Sequence, residues 1–367
     1  MSGKLGLSMR DVSTGENPTR GMSRRSYLQL GAGASAVALA GCLGSGETLT
    51  YLNRGGAIQD AEIEVLQEWE DENDIDIEFD EQPDDTDMME QMSTDPGGYD
   101  IVTLSPYGYA LDSVQYADED LLLDIDYDEV PNYTENIQEE WQDQEFFGDK
   151  GLFYHVSAQG IGYNTNEVDE ITSWDDIKDP DLEGEVTLFS SGPTRFGNSC
   201  AALGIDVADA LEDDDLYDEV MDEIEEMDQY VYQYWDSGQD FMGDLSEEEA
   251  YVADAWGGRV ETLAEDGDPV DYVIPEEGCI SWSVAFSILE ESDMHEEAYD
   301  LLNWIYEEET ALEMVEHHYY PIPLEGDHDE LEGRFESLDA DDVLTFDWEL
   351  VVENIERIEQ DFANITG

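Results

Sequence analysis

The 367-residue chain carries 97 acidic residues against 12 basic ones, a formal net charge of −85. No basic patch is available to neutralise phosphates, which excludes nucleic acid as a partner. A content of 40% hydrophobic and 11% aromatic residues is enough for a packed core, which argues against a disordered acidic chain.

Both facts fit a halophile's surface. At molar salt the Debye length is about 3 Å, so exposed carboxylates scarcely repel one another and net charge says nothing about the sign of a ligand. The composition therefore points to a halophile, and acidic runs such as 212–226 read as solvated surface.

The chain opens with a leader. Ser23-Arg-Arg-Ser-Tyr-Leu28 reads as a twin-arginine export signal on Arg24 and Arg25. The run from Leu28 to Gly41 is too short and too rich in Gly and Ala to span a bilayer. Leu39-Ala-Gly-Cys42 reads as a lipobox in which Cys42 is lipidated and becomes the mature N-terminus. Residues 1–41 are then the signal and 42–47 a tether. Gly31-Ala-Gly33 lies inside this signal and follows no strand, so it is not a dinucleotide fingerprint. The expected location is the cell surface, lipid-anchored to the outer face of the cytoplasmic membrane.

Roughly 320 residues remain, a length that favours two lobes. Thr48–Leu52 reads as a strand, and Ile58, Ala61, Val65 and Trp69 fall on one helix face. Ile75, Ile77 and Phe79 alternate as a strand. Tyr99–Leu104 is a buried strand ending in a turn at Ser105-Pro106. Further strands are read at Gly160–Asn164, Val186–Phe189, Tyr230–Tyr234 and Ile280–Leu289, and a helix at Glu296–Tyr306. The alternation implies an α/β fold with a mostly parallel sheet and helices on both faces, whose ligands bind at strand-to-helix turns. Cys200 and Cys279 can be a disulfide or two free thiols, and both alternatives stand. His317-His318 reads as a helix end rather than a metal site. Trp174 and Trp235 read as structural.

At those turns the chain resembles the extracellular solute-binding proteins of ABC importers, in the group that includes spermidine/putrescine binders. The resemblance rests on an ordered set of stretches. They are 51–61, Tyr99-Asp-Ile-Val-Thr-Leu-Ser-Pro-Tyr107, Gly160-Ile-Gly-Tyr-Asn-Thr-Asn166, 172–184, Ala255-Trp-Gly-Gly258, 273–282 and Tyr320-Pro-Ile-Pro323. It implies a two-lobed, periplasmic-binding-protein-like type II fold with hinge crossovers near 154–162 and 281–287. The lobes would close around a small molecule and present it to a permease and its ATPase subunits. The implied divisions are 48–157 for the first part of lobe 1, 158–283 for lobe 2, and 284–367 for the return to lobe 1 with the C-terminal helices. A monomer with no cofactor, no metal and no catalytic residues is expected.

The resemblance also implies aromatic walls at Tyr107, Trp256 and Trp282, with Tyr320 close by, suited to amines through cation–π attraction. The carboxylates that polyamine binders carry are replaced here by Val284 and by Ser190 or Ser191. The basic residues point the same way. Five of twelve lie in the leader, and three of the remaining seven fall on presumed pocket loops: Arg54 before Gly55-Gly56, Arg195 after Ser190-Ser191-Gly-Pro-Thr, and Arg259 after Trp256-Gly-Gly. Together with Ser105, these residues would read an anionic or zwitterionic group, since Arg forks onto carboxylate or phosphoryl oxygens. The plainer reading is that each Arg pairs with a neighbouring carboxylate and fixes a loop. The expected function is a lipid-anchored substrate-binding protein. A true spermidine/putrescine binder is the first alternative. The alternative of another class is a secreted hydrolase working with two acids, although no Gly-x-Ser-x-Gly, His-Glu-x-x-His, P-loop or zinc spacing is present.

Overall fold

The computed structural model describes residues 47–82, 84–142, 147–328, 331, 343–344 and 346–367. The export and lipidation residues Arg24, Arg25 and Cys42 lie outside the described residues. The elements in chain order begin with β1 (Glu47–Asn53), α1 (Gly56–Asn73), β2 (Ile75–Glu81), α2 (Asp85–Thr94), β3 (Ile101–Leu104) and α3 (Pro106–Val114). The short α4 (Pro131–Asn136) and α5 (Glu139–Gln142) lead to the long β4 (Leu152–Asn164). Next come β5 (Val186–Phe189), α6 (Gly192–Leu203), α7 (Val207–Glu212), α8 (Asp214–Asp228), β6 (Val231–Trp235) and α9 (Gly238–Ser246). The chain continues through β7 (Val252–Trp256), α10 (Gly257–Asp266), β8 (Val270–Val273) and β9 (Cys279–Ile288). It ends with α11 (His295–Ile305), α12 (Glu308–His318), β10 (Val343–Leu344) and α13 (Trp348–Thr366).

The strands run in the order β2-β1-β3-β9-β4-β7-β5-β6, with β10 beside β9 and β8 beside β4. The outer groups are parallel: β1 with β2 and β3, and β5 with β6 and β7. The expected mostly parallel sheet is corrected to a mixed one, because β3–β9, β9–β4 and β4–β7 are all antiparallel. The physical reason is connectivity: β4 and β9 carry the chain between the two parallel groups and so run against their neighbours. β4 changes partner midway. Residues 152–158 pair with β9, and residues 159–164 pair with β7 and β8. Such a strand is shared by both halves of the molecule, the arrangement of a two-lobed type II binding-protein fold.

Apolar periodicity builds the cores on either side. On α1, Ala61, Val65, Leu66 and Trp69 are buried at helical spacing, and the helix stops where Asp74 turns left-handed at φ 57°. On α11, Ala298, Leu301, Leu302 and Ile305 are buried. The largest core gathers β1, β3, the first half of β4 and β9 with α11–α13; two smaller ones sit around β5 with the far half of β4, and around β7 with α9 and α10. Cys200 and Cys279 are both buried free thiols. Among the described residues, no helix is long and apolar enough to cross a membrane.

Candidate functional site

The site forms where β4 passes between the two parallel groups. Along β4, His155, Ser157 and Gln159 alternate onto one face of the sheet. Across from them stand Val284 opposite His155, Trp282 opposite Ser157, and Trp256 opposite Gln159. This face is polar where a core would be apolar. His155 and Gln159 are 2% and 0% exposed, yet His155 Nδ1 and both amide atoms of Gln159 have no hydrogen-bond partner, and neither does Trp282 Nε1. Burial of an unpaired polar atom is costly, so such a cluster marks a place where another molecule supplies the partners. Burial, and then the charge of Arg54, lower the His155 pKa to about 3, so its imidazole is neutral.

Arg54, Ser105 and Tyr107 come together around Asp85. Arg54 pairs with Asp85 at 2.5 Å, and Ser105 donates to the same carboxylate at 2.5 Å while starting α3. The Tyr107 hydroxyl meets Thr86 at 3.3 Å, and its ring lies 6.1 Å from Trp348. Trp348 in turn lies 5.2 Å from Trp282, so α13 supplies a third aromatic wall. Gly55 and Gly56 both have positive φ, 67° and 68°, where a side chain would be strained. The Gly55 N–H donates to Asn53 Oδ1, and Asn53 donates to the buried Glu62. Burial raises the Glu62 carboxyl to about 7.

On the other side Trp256 caps α10, and Tyr320 stacks on His155 at 5.1 Å and 27°. A β-carbon on Gly258 would lie 2.9 Å from the Tyr320 ring, which is why the second Gly of Trp-Gly-Gly is needed. Arg259 follows in the first turn of α10, 8% exposed, with Nε and Nη1 unpaired.

Arg195 and Ser191 have side-chain partners within the fold, and Ser190 is exposed. Arg195, 2% exposed, is ion-paired and hydrogen-bonded to the fully buried Asp254 and lies 5.8 Å over the Trp174 ring. Ser191 accepts from the Thr194 N–H as the cap of α6, and the Ser190 N–H donates to Trp235 O. The α6 start also receives Glu359 from α13, whose carboxylate takes the Gly192 N–H. Sequence reasoning missed Asp85, His155, Gln159 and Trp348. The signal for two of them was legible: His155, Ser157 and Gln159 are polar at every second position of an otherwise apolar strand.

The family profile for bacterial extracellular solute-binding proteins matches residues 64–327. The spermidine/putrescine-binding periplasmic protein 1 of Haemophilus influenzae is 24% identical over 221 residues, 59% of this chain and 58% of that protein. The chain thus spans about three fifths of that relative's length. The crystal structure of the spermidine/putrescine ABC transporter substrate-binding protein PotD from Streptococcus pneumoniae superposes with a TM-score of 0.72 at 21% identity, covering 88% of this chain and 100% of that one. The Tp0655 (TpPotD) lipoprotein of Treponema pallidum superposes at 0.74 and 16% identity, covering 87% and 99%. At these identities the superpositions establish the fold.

Proposed function

The chain belongs to the bacterial extracellular solute-binding proteins, and from that premise we propose that it is the lipid-anchored substrate-binding protein of an ABC importer in a halophile. The observation that carries this reading is the set of buried, unpaired polar atoms on His155, Gln159, Trp282 and Arg259, gathered where β4 passes between the two halves of the sheet. A small polar solute in that place satisfies them. We take the lobes as 48–157 with 284–367, and 158–283. Ligand contacts from both sides then favour a closed form that the permease recognises. Anchoring through Cys42 keeps the monomer at the outer face of the membrane.

We place the anionic or zwitterionic ligand first. A second reading, a polyamine ligand, is favoured by the names of the relatives and by the walls Tyr107, Trp282 and Trp348. Against it, Asp85 already pairs with Arg54, and Val284 contributes no charge to the face it shares with His155.

The test is a thermal-shift ligand screen at molar salt. A solute at a hundredfold excess over its dissociation constant stabilises by about 2.7 kcal/mol. Binding without product is the expected result. Turnover of the bound solute would replace the carrier with the hydrolase. Release of the protein from membranes by a Cys42→Ser change would support the anchor, and unchanged membrane retention would refute it.

A further inference from the structure

We infer that Arg259 is the receptor for an oxyanion of the solute, a carboxylate or a phosphoryl-type group, so that the ligand is a zwitterion or an anion rather than a polyamine. This rests on the carrier reading and specifies its ligand class.

The first observation is the pairing of the cations. In a chain with 97 acidic residues, a basic side chain finds a carboxylate almost anywhere. Arg54, Lys150, Lys178, Arg195 and Arg357 each do. Among the described residues Arg259 is the only lysine or arginine with no ion pair, although it is more than nine-tenths buried. Its Nε and Nη1 also lack any hydrogen-bond partner. An uncompensated guanidinium in that position is costly. A bound anion removes the cost.

The second observation is the space around it. A β-carbon on Gly56 would lie 3.1 Å from Arg259 Nη2, and one on Gly238 would lie 3.4 Å from Arg259 Nε. Gly56, at the start of α1, is thus kept free of side chain against the guanidinium, while Gly238, at the start of α9, is crowded first by Trp256 Cζ3 at 3.1 Å and only touches the guanidinium.

The third is where acids are missing. The helices α2, α7, α8, α9, α11, α12 and α13 carry Asp or Glu in the first turn, whereas α1, α3, α4, α6 and α10 carry none. Three of these five are met from outside: Asp85 takes the Ser105 N–H at α3, Asn303 the Asn132 N–H at α4, and Glu359 the Gly192 N–H at α6. The N-cap residues of α1 and α10, Gly55 and Trp256, give no side-chain cap of their own. At the start of α1 the exposed Glu81 lies against Gly55 and is engaged by Gln59. The positive ends of α1 and α10 thus flank the same unpaired arginine, an arrangement that favours negative charge. Because α1 and α10 stand on opposite sides of β4, an anion between them also draws the two sides together.

The test uses a series matched in chain length: putrescine, 4-aminobutyrate and succinate, with inorganic phosphate as the bare anion. Each is titrated by calorimetry and thermal shift against the mature protein at molar salt. The variants are Arg259→Gln, Arg259→Lys and Gly238→Ala, each checked for cooperative unfolding. Gly238→Ala keeps the charge but puts a methyl group 3.1 Å from Trp256 Cζ3 and 3.4 Å from Arg259 Nε, crowding that end of the site while the cation stays, and so serves if the arginine variants misfold. The expected result is binding of a member that carries an anion, weakened about 100-fold in Arg259→Gln and less in Arg259→Lys, where charge remains but the fork is lost. Putrescine binding alone, equal in wild type and Arg259→Gln, would overturn the inference and leave the carrier reading standing. No shift with any of the four at millimolar concentration would overturn both.

Discussion

Replacing Arg195 by Met separates a structural arginine from a binding one. The variant leaves Asp254 buried, still accepting from the Phe189 N–H at 2.7 Å and from Trp235 Nε1 at 3.0 Å, but without its cation. Removing one partner of a buried ion pair costs about 3–5 kcal/mol. With an unfolding entropy of about 2.1 cal/mol/K per residue over roughly 320 residues, this lowers Tm by about 4–7 °C. The loss depends on pH. Burial already raises the Asp254 carboxyl, and Arg195 is the charge that opposes this rise. Without the arginine the carboxyl rises further. A folded-state pKa above the unfolded one means that stability falls as pH climbs between the two, so the deficit of the variant grows with pH and is largest once the Asp254 carboxyl is ionised in both proteins. Pairing Arg195→Met with Asp254→Asn restores part of the stability, because no charge is then left unpaired. The assay is thermal and urea unfolding at molar salt, with ligand affinity measured on the folded protein. A stability loss below about 1 kcal/mol, or a large loss of affinity with stability intact, would refute the assignment.

Glu62→Gln should flatten the stability profile between pH 5 and 8. The Glu62 carboxyl is raised from 4.5 to about 7, so the wild-type fold loses stability across that window, by about 3 kcal/mol once it is ionised; an unchanged slope in urea unfolding counts against this. Cys200 and Cys279 should not react with a thiol reagent until the protein is denatured, since both are buried and burial pushes the Cys200 thiol up to about 12. Rapid labelling of the native protein, or a Tm lowered by reductant, would contradict free buried thiols. Dilution from molar salt to about 0.1 M, where the Debye length grows to about 10 Å, should lower Tm through repulsion among the surface carboxylates. An unchanged midpoint would argue against a halophile's surface.

Much of the fold was legible because apolar periodicity is local. Val186–Phe189 is a strand at the residues expected, and the strands expected at Thr48–Leu52, Tyr230–Tyr234 and Ile280–Leu289 each fall within a residue or two of the observed bounds. β4 was read only from Gly160 onward. Its first half opens on three apolar residues, Leu152–Tyr154, and only from His155 to Gln159 alternates polar with apolar, so the pattern changes within one strand and neither template spans it. Strand direction was not legible either. Whether a strand lies parallel to its neighbours depends on which half of the sheet the chain is leaving, and nothing in the local pattern of β4 or β9 records that.

The arginines show where the limit lies for the site. Arg54, Arg195 and Arg259 look alike in the sequence: each adjoins a small-residue turn before or within the first turn of a helix. What distinguishes them is a carboxylate remote in the chain. Asp254 lies 59 residues from Arg195 and pairs with it inside the core. Asp85 reaches Arg54 from the start of another helix. For Arg259 no such carboxylate arrives among the described residues, and the Gly56 and Gly238 positions lie against its guanidinium. Composition cannot reveal this, because with 97 acids every arginine has a nominal partner somewhere in the chain. Only the fold determines which acid reaches which base. The missing ion pair at Arg259, invisible in the sequence, therefore says more about the ligand than the net charge of −85.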